Sequence, residues 1–265
     1  MTDIDSDAVR QSMERFEAAV VAQPTEIRLP GVQRILLALD GSNQDDAAVS
    51  LSVAVARRMG QGQGAVHVLY GYEGAIQEDR EQYVARRAGA LESAGLRATY
   101  GRTTGQKPYV QILEQAEQQG VDLVVVAAPH MEDYAELGVA SVGTNLDMLM
   151  SRRRVPLLVV RDPQRRGAAV VESVVVPLGM AQERAPAAAG WALWLVAEGG
   201  AVHLLVVVDT EAPGAEELEA EEIDTARLAK LGEGAAAGLV GAVQRRAAEM
   251  GLSCRVSVRA GVLAT

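Results

Sequence analysis

The segment Val121–Val160, VDLVVVAAPHMEDYAELGVASVGTNLDMLMSRRRVPLLVV, constrains the fold more than any other part of the chain. Leu123–Val126 and Leu157–Val160 are short, unbroken aliphatic runs, the pattern of strands buried on both faces of a parallel sheet. Between them Gly143 and Thr144 open a helix. Its Leu146, Leu149 and Met150 share one face, and Arg152, Arg153 and Arg154 stand where cations meet the negative end of the helix dipole. The unpaired N–H groups at the start of that helix then face the long loop that precedes it, an arrangement suited to holding an anion.

Strand and helix signals alternate upstream in the same way. Ile35–Leu39 reads as a strand, and Ser42 is placed to cap a helix reaching Met59, with Asp45 and Asp46 in its first turn. Ala65–Tyr70 is the next strand, followed by a helix over about Ile76 to Ala94, a strand near Leu96–Thr103 and a helix from about Lys107 to Gln119. Five strands joined by crossover helices predict an α/β fold with a doubly wound parallel sheet.

Part of this pattern returns. AVHVL at Ala65–Leu69 reappears as AVHLL at Ala201–Leu205, and Gly95, Leu96 and Gly105 recur at the same spacing as Gly251, Leu252 and Gly261. The first strand, QRILLALDG, matches VVESVVVPL, which aligns Asp40 with Leu178 and Gly41 with Gly179. The expected organisation is an N-terminal extension over 1–30, a first domain over 31–161, a linker over 162–170 and a second, incomplete copy over 171–265. In the extension Val9, Met13, Phe16 and Val20 recur at helical spacing before Pro24 and Pro30, as in a short amphipathic helix that docks on the body or a partner. A three-stranded second sheet would leave its first strand with an open edge. The expectation is that the chain continues beyond Thr265 or that another segment or chain completes the sheet.

Composition narrows the function classes. A formal net charge of −10, from 35 acids and 25 bases, argues against a nucleic-acid partner. The acidic run Asp209–Asp224 reads as a solvated loop and helix start rather than a metal site. With Cys254 the single cysteine, no disulfide or cysteine zinc site forms within one chain. The N-terminus lacks the basic and apolar regions of a secretory signal, and Ala187–Val208 reads as helix, turn and strand rather than a membrane span, so a cytoplasmic protein without membrane insertion is expected. His67 and His203 occupy equivalent strand positions and read as structural. No nucleophile stands beside an evident base, so turnover is not expected beyond at most a weak ATPase.

The residues LLALDGSNQDDAAVSLSVAVA, VDLVVVA and GTNLDMLMSRRRVPLLVV resemble the universal stress protein family, over residues 34–161 and partially over 171–261. The resemblance implies a five-stranded, Rossmann-like sheet of order 3-2-1-4-5, found as a homodimer or other homo-oligomer or as tandem domains. It also implies ATP or another adenine nucleotide (ADP, AMP), held by an aspartate ending the first strand and by a glycine-rich loop after the fourth. Asp40 matches that aspartate, Gly143 and Thr144 match the final glycine-hydroxyl pair, and Asn145 takes the next position. The two earlier glycines of the loop are replaced by Ala127 and His130, and Ala127 lies three residues too far from Gly143. Backbone N–H groups approach phosphate most easily where no Cβ intervenes, so Gly138 and Ser141 stand as an alternative cradle, with His130 a further phosphate contact and Gly41 and Ser42 lining the first-strand turn. A requirement for Mg is left open. The expected function is regulatory nucleotide binding in a stress response, the alternative being a nucleotide-free scaffold that acts by dimerisation or partner binding.

Overall fold

The computed structural model describes residues 26–41, 44–59, 64–70, 78–102, 107–127, 144–152, 154–161, 171–178, 184–209 and 234–261. The chain divides into two compact units, one of residues 31–170 and one of residues 1–30 with 171–265. The expected helix over Val9–Val20, the linker 162–170 and most of the acidic run lie outside the described residues.

The first unit is a parallel sheet of β1 (Arg34–Leu39), β2 (Ala65–Tyr70), β3 (Arg97–Arg102), β4 (Leu123–Ala127) and β5 (Leu157–Val160), in the order β3-β2-β1-β4-β5. Its helices are α1 (Asp45–Arg57), α2 (Glu78–Ser93), α3 (Pro108–Gln119) and α4 (Thr144–Arg152). The aliphatic run in β1 is explained by its central place: Ile35 through Leu39 are all buried, with helices on both faces. Leu36 and Ala38 pack with Val124 and Val126 under Ile112, Ala116, Leu146 and Leu149 of α3 and α4. Local chemistry sets the helix ends. Pro108 occupies the first turn of α3 behind an extended Lys107, and Gly120 closes the helix in the left-handed region at φ 55°. Asp122 then accepts the Gln33 and Arg34 N–H groups at 2.8 and 2.9 Å, which fixes where β1 begins beside β4.

Two boundaries differ from the expectation. The first helix begins at Asp45 with Gln44 at its N-cap position and ends at Arg57, rather than running from a Ser42 cap to Met59. Asp45, the first helical residue, turns its side chain back onto the N–H groups of Asp40 and Gly41 in the preceding turn, and no side chain caps the helix's own first N–H groups. Ser42 itself is outside the described residues.

The second unit holds three parallel strands in the order β6-β7-β8, with β6 Ser173–Leu178, β7 Ala201–Asp209 and β8 Ser253–Gly261, and the helices α5 (Ala185–Leu195) and α6 (Gly234–Glu249). Both units end a helix in the same way before the third strand. Leu96 N–H bonds back to Leu91 and Leu252 N–H to Ala247, with Gly95 and Gly251 at φ 84° and 68°. The repeated Gly-Leu pair is therefore a left-handed helix stop followed by an apolar residue. Gly261 is the last residue of β8, paired with Asp209, and not part of a turn beyond the strand.

Strand pairing also shifts the expected alignment of the two units by one residue. Arg34 pairs with Ala65 and Ser173 with Ala201. Because Ala65 and Ala201 open the repeated motif, Leu39 corresponds to Leu178 and Asp40 to Gly179. The carboxylate is still absent from the second unit, but its place is taken by a glycine rather than a leucine. By the same register Val175 corresponds to Leu36. Leu36 is 0% exposed and Val175 is 59% exposed, since only one face of the second sheet carries described helices. Glu172 accepts Ala201 N–H, so strand alternation points the backbone groups of Ser173, Val175 and Pro177 away from β7. Among the described residues β6 is an edge strand, and Pro177 removes a donor from that edge, which discourages further pairing there.

Residues 26–30 belong to this second unit. Ile27 is buried among Val176, Ala189, Leu193 and Val243, with Leu29 packed beside it. A Cβ on Gly190 would overlap the Arg28 carbonyl oxygen, so helix α5 needs a bare backbone where the segment crosses it. Replacement Gly190→Ala is expected to destabilise the second unit by about 2 kcal/mol or more in denaturant titration. An unchanged midpoint would mean that the segment does not rest on α5.

Candidate functional site

In a sheet of order 3-2-1-4-5 the strand order reverses between β1 and β4, and the crevice beyond the carboxyl ends of those two strands is where such folds take ligands. Ala38 pairs with Val126, so the turn at Asp40–Gly41 and the end of β4 at Ala127 lie side by side at that point. Helix α4 runs back from the same end, and its first turn carries Thr144 and an exposed Asn145 while Leu146 and Leu149 are buried. The structure therefore brings Asp40, Gly41, Ala127 and the start of α4 to one end of the sheet. Ser42, His130, Gly138, Ser141 and Gly143 lie outside the described residues.

The turn after β1 is tightly built. Gly41 has φ +83°, and a Cβ there would stand 2.8 Å from the Tyr70 hydroxyl oxygen, so both conformation and space demand glycine. The Tyr70 hydroxyl donates to the Asp40 carbonyl at 3.3 Å. Asp40 itself is exposed. Beneath the turn Asp45 is 0% exposed, and its carboxylate accepts the Gly41 N–H at 2.8 Å, the Asp40 N–H at 3.4 Å and the Tyr83 hydroxyl at 2.7 Å. Tyr83 stacks edge-on against Tyr70 with centroids 6.1 Å apart, and Arg87 lies 4.8 Å over its ring while pairing with Asp46 at 2.7 Å.

Sequence reasoning placed Asp45 only as an acid favoured by the helix dipole, and it missed Tyr70, Tyr83 and Arg87 altogether. Tyr83 comes from a helix some forty residues away, and nothing in its local pattern marks it. The doublet Asp45-Asp46 carries no local signal that separates the buried acid from the exposed one.

Burial is the main reason that the Asp45 carboxyl is lifted to about 6, with the charge of Asp40 adding to it; the bonds from Tyr83, Gly41 and Asp40 pull the other way. Burial and the bond to Asp45 together push the Tyr83 phenol up to about 12, so it remains a donor at neutral pH. Elsewhere, His67 Nδ1 bonds Thr99 at 2.8 Å and His203 Nε2 bonds Ser257 at 2.7 Å, each linking neighbouring strands. Among the described residues no three His, Cys, Asp or Glu side chains gather as a metal site, and no helix is long and apolar enough to cross a membrane. A cavity of about 360 Å³ lies between α3 and α4, lined by Leu113, Val124, Leu149, Leu157, Tyr109 and Arg152 among others, and by none of Asp40, Gly41, Ala127 or Asn145.

The sequence model of the universal stress protein family matches residues 31–161. Residues 31–161 belong to the universal stress protein family. Among solved structures, a universal stress protein from Archaeoglobus fulgidus DSM 4304 is similar over 90% of this chain and 79% of its own, at 14% identity and a TM-score of 0.56. It shares the fold. A universal stress protein from Archaeoglobus fulgidus in complex with dAMP aligns with 51% of this chain and 99% of its own, at 14% identity and a TM-score of 0.36. Another, in complex with cAMP, covers 49% of this chain and 97% of its own, at 18% identity and a TM-score of 0.40. No curated protein matches the chain.

The universal stress protein domain carries its buried acid at a cost. A folded-state value raised above that of the unfolded chain means that protonated Asp45 stabilises the fold fully below the ordinary value near 3.8, and that this contribution is lost as pH rises through about 6. Asp45→Asn is therefore expected to be at least as stable as wild type at about pH 7.5, with a gain bounded on the order of 3 kcal/mol. It should also remove the acid stabilisation seen in wild type. Thermal or urea unfolding across pH measures both effects, and a variant clearly weaker than wild type at neutral pH would contradict the assignment.

Proposed function

We propose that the universal stress protein domain binds an adenine nucleotide, with ATP, ADP and AMP as candidates, as a regulatory ligand in a stress response. Asp40 engages the adenosine part, and the N–H groups at the start of the Gly143–Asn145 helix take phosphate, with Gly138, Ser141 and His130 as further loop contacts. The observation that carries this reading is the rigid Asp40–Gly41 turn beside Ala127 at the point where the strand order reverses. A capping acid has no need of such support from three elements. The second unit, read as a partial copy, has no nucleotide site, because the Asp40 position is a glycine there.

Equilibrium binding of ATP, ADP and AMP to wild type and Asp40→Ala tests the assignment. Wild type should bind at least one of the three, and the variant about tenfold more weakly or worse, a difference of about 1.4 kcal/mol. Equal affinity in both proteins, or no binding by wild type, would remove the proposed site.

A nucleotide-free scaffold of the same fold is the second reading. It is favoured by Ala127 and His130, which stand where nucleotide-binding relatives have glycines, and by the open edge of β5, where Val159 is partly exposed. Association of two copies is part of both readings, as is a cytoplasmic location. Native mass spectrometry separates the readings: the first predicts a small-molecule mass retained with the protein, the second a bare dimer.

A further inference from the structure

The contacts of Asp45 exceed what the start of a helix requires. Asp46, one residue on, meets the dipole of α1 from an exposed position and pairs with Arg87 across the surface. Asp45 instead is completely buried and faces back out of its helix, onto the two N–H groups of the turn that presents Asp40. The groups around it are Asp40 and Gly41 at the end of β1, Tyr70 from β2, Tyr83 and Arg87 from α2, and Asp46 on its own helix. Arg87 is engaged by Tyr83 and Asp46 rather than by the Asp45 carboxylate.

We propose that Asp45 is a positioning residue for the crevice: ionised, it holds the Asp40–Gly41 turn in the form that accepts an adenine nucleotide, and protonated it releases the turn and weakens binding. The proposal rests on the reading of the crevice as a nucleotide site. Oδ2 already accepts from Gly41 and Tyr83, so a proton goes to Oδ1, which faces the Asp40 N–H. A hydroxyl there sets donor against donor, and burial leaves no water to replace the lost acceptor. The raised value of the carboxyl, about 6, brings this change within reach of mild acid. Loss of one negative charge beside Asp40 would by itself favour an anionic phosphate. Uncharged adenosine is therefore the deciding probe, with ATP as the companion.

Adenosine affinity of wild type should fall about tenfold from about pH 7.5 to about pH 5, following the ionised fraction of Asp45. Asp45→Asn should bind adenosine weakly and without that pH dependence. Tyr83→Phe, which removes a donor from the carboxylate, should move the midpoint of the profile upward, a shift that a merely structural role would not cause. In parallel, the Gly41 amide resonance of the nucleotide-free protein should titrate in wild type and stay flat in Asp45→Asn. A flat adenosine profile, or Asp45→Asn binding as tightly as wild type at neutral pH, overturns the positioning role while leaving the site. Failure of wild type to bind adenosine and ATP at every pH overturns the site, and the Gly41 titration then shows whether the clasp alone exists.

Discussion

The bond from the Gly41 N–H to the buried carboxylate of Asp45 is the interaction on which the organisation of the first domain's crevice depends. It ties the end of β1 to the start of α1, and through Tyr83 it ties both to α2. Three elements of the α/β pattern, β1, α1 and α2, are thereby fixed at the place where the strand order reverses. An isolated carboxylate in such a position would be expelled or protonated. Three donors hold it, and the remaining imbalance appears as a carboxyl lifted to about 6. The domain thus keeps a group that burdens its stability at neutral pH next to the residue that resembles a nucleotide contact, which is the usual relation between a site and the fold that carries it.

Much of the fold was legible because the strands obey a simple rule. β1 and β4 are buried on both faces and read as unbroken aliphatic runs, and their order followed from the crossover pattern and the family resemblance. The helix from about Lys107 to Gln119 was readable in extent, whereas its ends at Pro108 and Gly120 and the helix-stop role of the repeated Gly-Leu pairs at Gly95 and Gly251 came from the structure. Side chains whose partners come from distant elements were not. Asp45 looked like any acid at a helix start, and only the tertiary contact with Tyr83 and the Gly41 turn shows that it points inward. The one-residue shift between the units had a similar cause. An aliphatic run carries no mark of its own register, and only the pairing of Arg34 with Ala65 and Ser173 with Ala201 decides.

The two units show how the same strand pattern responds to different cover. In the first, β1 is sandwiched between helices and its edge is filled by β4. In the second, the corresponding Val175 is exposed, and Pro177 stands where the open edge would offer a donor. The same unit instead gains Ile27 and Leu29 from the segment that precedes the first domain, admitted by the absence of a side chain at Gly190. The two units thus differ at the position of Asp40 and at the sheet edge, and share the helix stops and the central strand motif.

Amide chemical-shift mapping of the first domain during addition of ADP tests the central claim most directly, because it locates the ligand without assuming its contacts. The account predicts perturbations centred on Asp40, Gly41, Ala127 and Asn145, at the carboxyl ends of β1 and β4 and the start of α4. Perturbations centred on the cavity between α3 and α4, or none at saturating ligand, would contradict it.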